Sequence, residues 1–148
     1  MPNFSSILDR KASEIEEPKP IPVGTYLVLL QGQAVRGEST VKKTEYWDFP
    51  AKILQPQSDV SQAEIERFGG VQGKDLRGNG GLRYYVTEES AYRLKEFLVD
   101  HLGISDEGKT IREMMAEAPG KQVYVTISHQ PSDDGKRVYS RVAQTARV

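Results

Sequence analysis

Gly24-Thr25-Tyr26-Leu27-Val28-Leu29-Leu30 and Thr44-Glu45-Tyr46-Trp47-Asp48-Phe49-Pro50-Ala51-Lys52-Ile53 are the stretches on which the fold turns. In the first, Tyr26, Val28 and Leu30 alternate with Thr25, Leu27 and Leu29. Both sides are largely apolar, which fits a central strand or one that wraps between two halves of a barrel. In the second, Trp47, Phe49, Ala51 and Ile53 fall on one side and Tyr46, Asp48, Pro50 and Lys52 on the other. The indole side is expected to face the core. Pro50 cannot donate to a ladder, so it marks an edge or a bulge. The intervening Gly32–Lys43, with Arg36, Lys42 and Lys43, reads as a mobile hairpin tip.

Working outward, Ser61-Gln62-Ala63-Glu64 is a capping box that opens a short helix to about Phe68, closed by Gly69 and Gly70. Gly73–Gly81 is a glycine-rich charged loop, and Leu82-Arg83-Tyr84-Tyr85-Val86 a third strand. Thr87 caps a helix over Glu88–Leu102 whose buried stripe is Ala91, Leu94, Phe97, Leu98, His101 and Leu102. A further capping box at Thr110 begins a helix through about Ala118, stopped by Pro119-Gly120. Gln122–His129 and Lys136–Ala143 form a closing hairpin around Asp133-Asp134-Gly135. The expected class is mainly β with helices (α+β): a five-stranded barrel of the oligonucleotide/oligosaccharide-binding (OB) type with a helical insertion after the third strand. A two-sheet α+β sandwich is the competing layout. Residues 1–22, with Phe4, Ile7 and Leu8 at helical spacing and Pro18, Pro20 and Pro22 forcing an extended path, read as an N-terminal arm. Residues 23–148 then form the domain.

Composition narrows the chemistry. The chain of 148 residues has 37% hydrophobic and 28% charged residues, a net charge of −1 and no cysteine. It is long enough for one domain with a real core, and disulfides and thiolate chemistry are excluded. No apolar run approaches a membrane span and the first residues lack a signal-peptide layout, so an intracellular protein is expected. The histidines, His101 and His129, read as a helix-packing and a solvated residue, and no metal or other cofactor is expected. Gly69-Gly70-Val71-Gln72-Gly73-Lys74-Asp75 lacks the spacing of a phosphate loop, and Asp133-Asp134-Gly135 is turn chemistry. Nothing converges on catalysis, and a non-enzymatic role is expected.

Strand alternation offers a different chemistry. With the aliphatics turned inward, the outward set is Tyr46, Lys52, Arg83, Tyr85, Tyr124, Arg137, Tyr139 and Arg141, with no carboxylate among these eight. Rings with an open face stack on bases and cations meet phosphates, so such a sheet can hold single-stranded nucleic acid. Tyr46, Tyr85, Tyr124 and Tyr139 would stack. Lys42, Lys43, Lys52, Arg83, Arg137 and Arg141 would meet phosphate, and the Gly32–Lys43 and Gly73–Gly81 loops would close over the strand. The same tyrosines suit a subunit interface, which keeps a protein-interaction module in play.

The chain also resembles a group of bacteriophage early proteins that bind single-stranded DNA. The likeness is carried by Asn3-Phe4, Ile7-Leu8, Pro18-Lys19-Pro20-Ile21-Pro22-Val23-Gly24-Thr25-Tyr26, Lys43-Thr44-Glu45-Tyr46, Tyr84 to Leu98, Leu102-Gly103-Ile104 and Gly120-Lys121-Gln122-Val123-Tyr124-Val125. The resemblance implies sequence-tolerant binding of single-stranded DNA in phage replication or recombination, in the cytoplasm of the bacterial host. It also implies a homodimer or higher oligomer and phage replication proteins as partners. A phage structural or assembly module is the alternative. The final residues, Gln144-Thr145-Ala146-Arg147-Val148, lack the acidic tail with which many single-strand binders recruit partners.

Overall fold

Pro50 divides what reads as one strand into two. In the computed structural model, which describes residue 11 and residues 19–76 and 80–148, β3 (Glu45–Phe49) ends just before the proline and β4 (Ala51–Pro56) starts just after it. The two belong to different sheets. Proline has no N–H to continue the ladder, and its carbonyl instead accepts from the Gln31 N–H at 2.8 Å. Side-chain parity nevertheless survives the crossing. Phe49, Ala51 and Ile53 are all buried, and Trp47 packs against them.

β1 (Gly24–Leu30) is the middle of a curled, half-barrel sheet of five antiparallel strands, ordered β5-β4-β1-β7-β8. Its other members are β5 (Asp75–Leu76), β7 (Gln122–Pro131) and β8 (Val138–Ala146). The register slips between Leu27 and Val28 and again between Thr126 and Ile127, and such bulges sharpen local twist. The central position expected from the two apolar sides of β1 is the observed one. Tyr26, Val28 and Leu30 are buried together with Val123, Val125 and Ile127 from β7. The buried Tyr26 hydroxyl donates to the Pro22 carbonyl at 2.6 Å, which ties residues 19–22 to the domain. The His129 ring adds a 2.7 Å bond from Nε2 to the Ile21 carbonyl. The helical part of the expected arm, Phe4 to Leu8, lies outside the described residues.

A second sheet, β2-β3-β6, stands beside the first. It adds β2 (Val35–Glu38) and β6 (Leu82–Tyr85). The five-strand reading did not contain it: β2 occupies part of the supposed mobile tip, and β5 part of the glycine-rich loop. Among the described residues, eight strands form where five were expected. The mainly β, α+β class is as expected.

The helices start where the capping residues place them. α1 (Gln62–Phe68), α2 (Glu88–Glu96) and α3 (Ile111–Ala116) begin at Ser61, Thr87 and Thr110, each of whose hydroxyls accepts an N–H three residues on. α2 widens into a π turn over Phe97–His101, so regular α-geometry stops short of the expected Leu102. The stripe is largely as read, with Leu94, Phe97, Leu98 and Leu102 buried, and Ala91 and His101 only half-buried.

Candidate nucleic-acid interface

The sheet order leaves β6 at the end of one sheet and β8 at the end of the other. A groove of about 1460 Å³ runs between them, with α2 along its side. Consecutive residues from Leu82 to Tyr85 and from Val138 to Thr145 line it. Both parities lining one groove is what a strand shows when it presents its edge rather than a face. The sheets approach where the groove begins: a Cβ added to Gly80 would lie 2.7 Å from the Ser140 carbonyl oxygen.

The groove's inner wall is aromatic. Tyr84 stacks on Phe97 with ring centroids 4.9 Å apart, and Phe97 meets Phe49 edge-on at 5.3 Å. Burial pushes the Tyr84 hydroxyl well above the usual phenol range, against a hydrogen bond with Thr145 that works the other way. The Thr145 hydroxyl also bonds Nδ1 of His101, so β8 is pinned to the end of the α2 segment. Among the described residues, Lys19, Arg83, Arg93 and Arg141 supply the positive charge along the groove, and Glu96 and Asp133 the negative. Arg141 donates to the Gln130 side-chain oxygen at 3.2 Å, and neither it nor Arg93 pairs with a carboxylate among the described residues.

Of the ten residues singled out from sequence, Arg83, Tyr85, Tyr139 and Arg141 line this groove. Tyr139 is 52% exposed. The other six lie elsewhere. Tyr124 is half-buried on the outer face of the five-stranded sheet, opposite Leu27 and Ala146. Lys52 shares that face and stands across from Leu29 and Asp75. Lys42 and Lys43 are exposed beyond β2, with Lys43 in the left-handed region at φ 52°. Arg137 precedes β8 in the hairpin turn, its N–H donating to Ser132 Oγ at 3.1 Å.

Tyr46 is on the outward face of β3, but its ring is enclosed. The Arg83 guanidinium lies 3.8 Å from its centroid, Tyr85 meets it edge-on at 5.8 Å, and Gly37 backs it. A Cβ at Gly37 would fall 2.4 Å from ring carbons, so the close approach requires glycine. The expectation that this ring offers a stacking face is corrected by that enclosure. The eight outer residues include no carboxylate, but Asp48, which alternation puts on the Tyr46 side, lies opposite Arg83 on that face. It takes Arg83 in two bonds, Nε to Oδ1 at 2.8 Å and Nη2 to Oδ2 at 3.0 Å. That pairing holds the guanidinium pKa above its ordinary value.

No protein-family model matches the chain, and no curated protein does. Lys19 and Arg93 are groove cations that strand alternation misses, since one lies ahead of the first strand and the other on a helix. Arg93 precedes the buried Leu94, so helical spacing does place it off the core stripe. Among the described residues no cluster of three or more His, Cys, Asp or Glu side chains could hold a metal ion, and no helix is long and apolar enough to cross a membrane.

Proposed function

We propose that this chain binds single-stranded DNA without catalysis and with little sequence preference, as an OB-like domain. The strand lies in the groove between β6 and β8 rather than across the sheet face. The observation that carries this reading is the gathering of Tyr85, Tyr139, Arg83, Arg93 and Arg141 along one groove bordered by two strand edges. Rings of this kind hold each stacked base by about 1–3 kcal/mol, and cations along the groove follow the phosphates. The lining segment Val138–Thr145 spans roughly 23 Å at the usual rise of a strand, long enough to follow several nucleotides. The curled five-stranded sheet supports the OB-like assignment. A role in phage replication or recombination in the bacterial host cytoplasm, beside other replication proteins and as a homodimer or higher oligomer, completes the proposal and rests on the sequence resemblance.

The test is a titration of labelled oligo-dT against duplex DNA of equal length. Oligo-dT is expected to bind more tightly, and Tyr139→Ala with Arg141→Ala to weaken it. Indifference to oligo-dT at low salt would end the reading. One observation favours a second reading, a phage structural or assembly module. β8 is a nine-residue strand at a sheet end, and such an edge is a template for strand addition by another protein. Binding to a protein partner that changes little with salt would favour that module.

A further inference from the structure

A second cavity, of about 470 Å³, opens where the three-stranded sheet meets α2 and α3. Its wall is apolar: Trp47, Val86, Ala91, Leu94, Ile111 and Met115. The volume falls within the roughly 300–1,000 Å³ of small-molecule sites, which combine apolar walls with a few placed polar groups. Charge at the rim is one-sided. Arg112 lines the pocket with its guanidinium 5.8 Å from the Trp47 ring, and it has no carboxylate partner among the described residues. Glu45 is the acid of the described lining, and it is already neutralised by Arg36 at 2.6 Å.

We propose that this pocket binds an apolar carboxylate: an alkyl or aryl group seated against Trp47, Leu94 and Met115, with its carboxylate on Arg112. The ligand is either a free acid of medium chain length or the C-terminal apolar residue of a peptide, which present the same chemistry. Burial of the apolar group supplies the driving force and Arg112 the selectivity for an anion. The pocket adjoins the groove between β6 and β8, since Tyr85 lines both, but Trp47, Arg112 and Met115 belong to the pocket and not to the groove.

Trp47 is the chain's single tryptophan, so its emission reports on occupancy directly. The full chain is titrated with octanoate, with octanol, and with acetyl-Gly-Gly-Phe carrying a free or an amidated C-terminus. A saturable change in emission is expected with octanoate or with the free-acid peptide, and whichever binds more tightly identifies the source. The uncharged counterparts should bind roughly tenfold more weakly. Arg112→Gln should remove that preference without lowering the melting temperature. Ala91→Met, which narrows the pocket from an incompletely buried wall position, should abolish the response. Neither substitution should change oligo-dT affinity, which separates this site from the groove. The proposal is overturned if neither acid gives a saturable change in the millimolar range. It is equally overturned if octanol matches octanoate, or if Arg112→Gln leaves acid affinity intact.

Discussion

Salt is the sharpest perturbation of the proposed DNA complex. Among the described residues the groove presents Lys19, Arg83, Arg93 and Arg141, but Asp48 already occupies Arg83 with two hydrogen bonds, which leaves three cations for phosphate, Lys19 by exchanging its 3.0 Å bond to the Arg67 carbonyl. On a single strand each phosphate contact contributes about 0.7 to the slope of log affinity against log salt, so a slope of about −2 is expected. Raising salt from about 50 to about 200 mM should then weaken binding about 18-fold. Arg93→Gln combined with Arg141→Gln removes two contacts, lowers the slope to about −0.7, and shrinks the same salt effect to about 2.6-fold. Asp48→Asn acts in the opposite sense: it releases Arg83 and should steepen the slope to about −2.8. The assay is the anisotropy of labelled oligo-dT at several salt concentrations, with the melting temperature as a check on folding. A slope in the doubly substituted chain equal to the parent's would refute the placement of phosphates in this groove, whatever the absolute affinity.

Gly37→Ala should lower stability by about 1–3 kcal/mol, because the new methyl would displace the Tyr46 ring from between Gly37 and Arg83. Urea denaturation measures it, and an unchanged midpoint would mean that the ring has room to swing. Thr87→Ala removes the hydroxyl that accepts the Ser90 N–H at 3.1 Å, at a cost of about 1 kcal/mol in the same assay. Burial pushes the Tyr26 hydroxyl up to about 12 from its ordinary 10.0. A folded-state pKa above the unfolded one gives stability that is complete below pH 10 and lost as pH rises through about 12. Thermal melts across that window should show the loss, and Tyr26→Phe should reduce its steepness while leaving the part due to Tyr84.

The parts of the fold that sequence reveals are those set within a few residues. The alternation of β1 identifies its buried side, and Ser61, Thr87 and Thr110 start helices because each hydroxyl needs only the N–H three residues on. β2 was illegible for the opposite reason. Val35-Arg36-Gly37-Glu38 has no apolar alternation, and it is a strand because β3 pairs with it and Tyr46 needs the space over Gly37. The candidate site was half legible. Parity identified Tyr139 and Arg141 as outward, and also placed Asp48 beside Tyr46, but only the register of β3 on β6 sets Asp48 opposite Arg83. Nothing local brings α2 alongside the end of β8, so Arg93 could not be placed with Tyr139 from spacing.

Unbroken parity across Pro50 makes the length of this crossing unforgiving. One residue added or removed there would leave Trp47 and Phe49 seated while turning Ala51 and Ile53 toward solvent, or the reverse. Insertions and deletions acquired by descendants of this chain are therefore expected to collect at the exposed hairpin tips, around Lys42 and Gly135, and to spare the junction between β3 and β4.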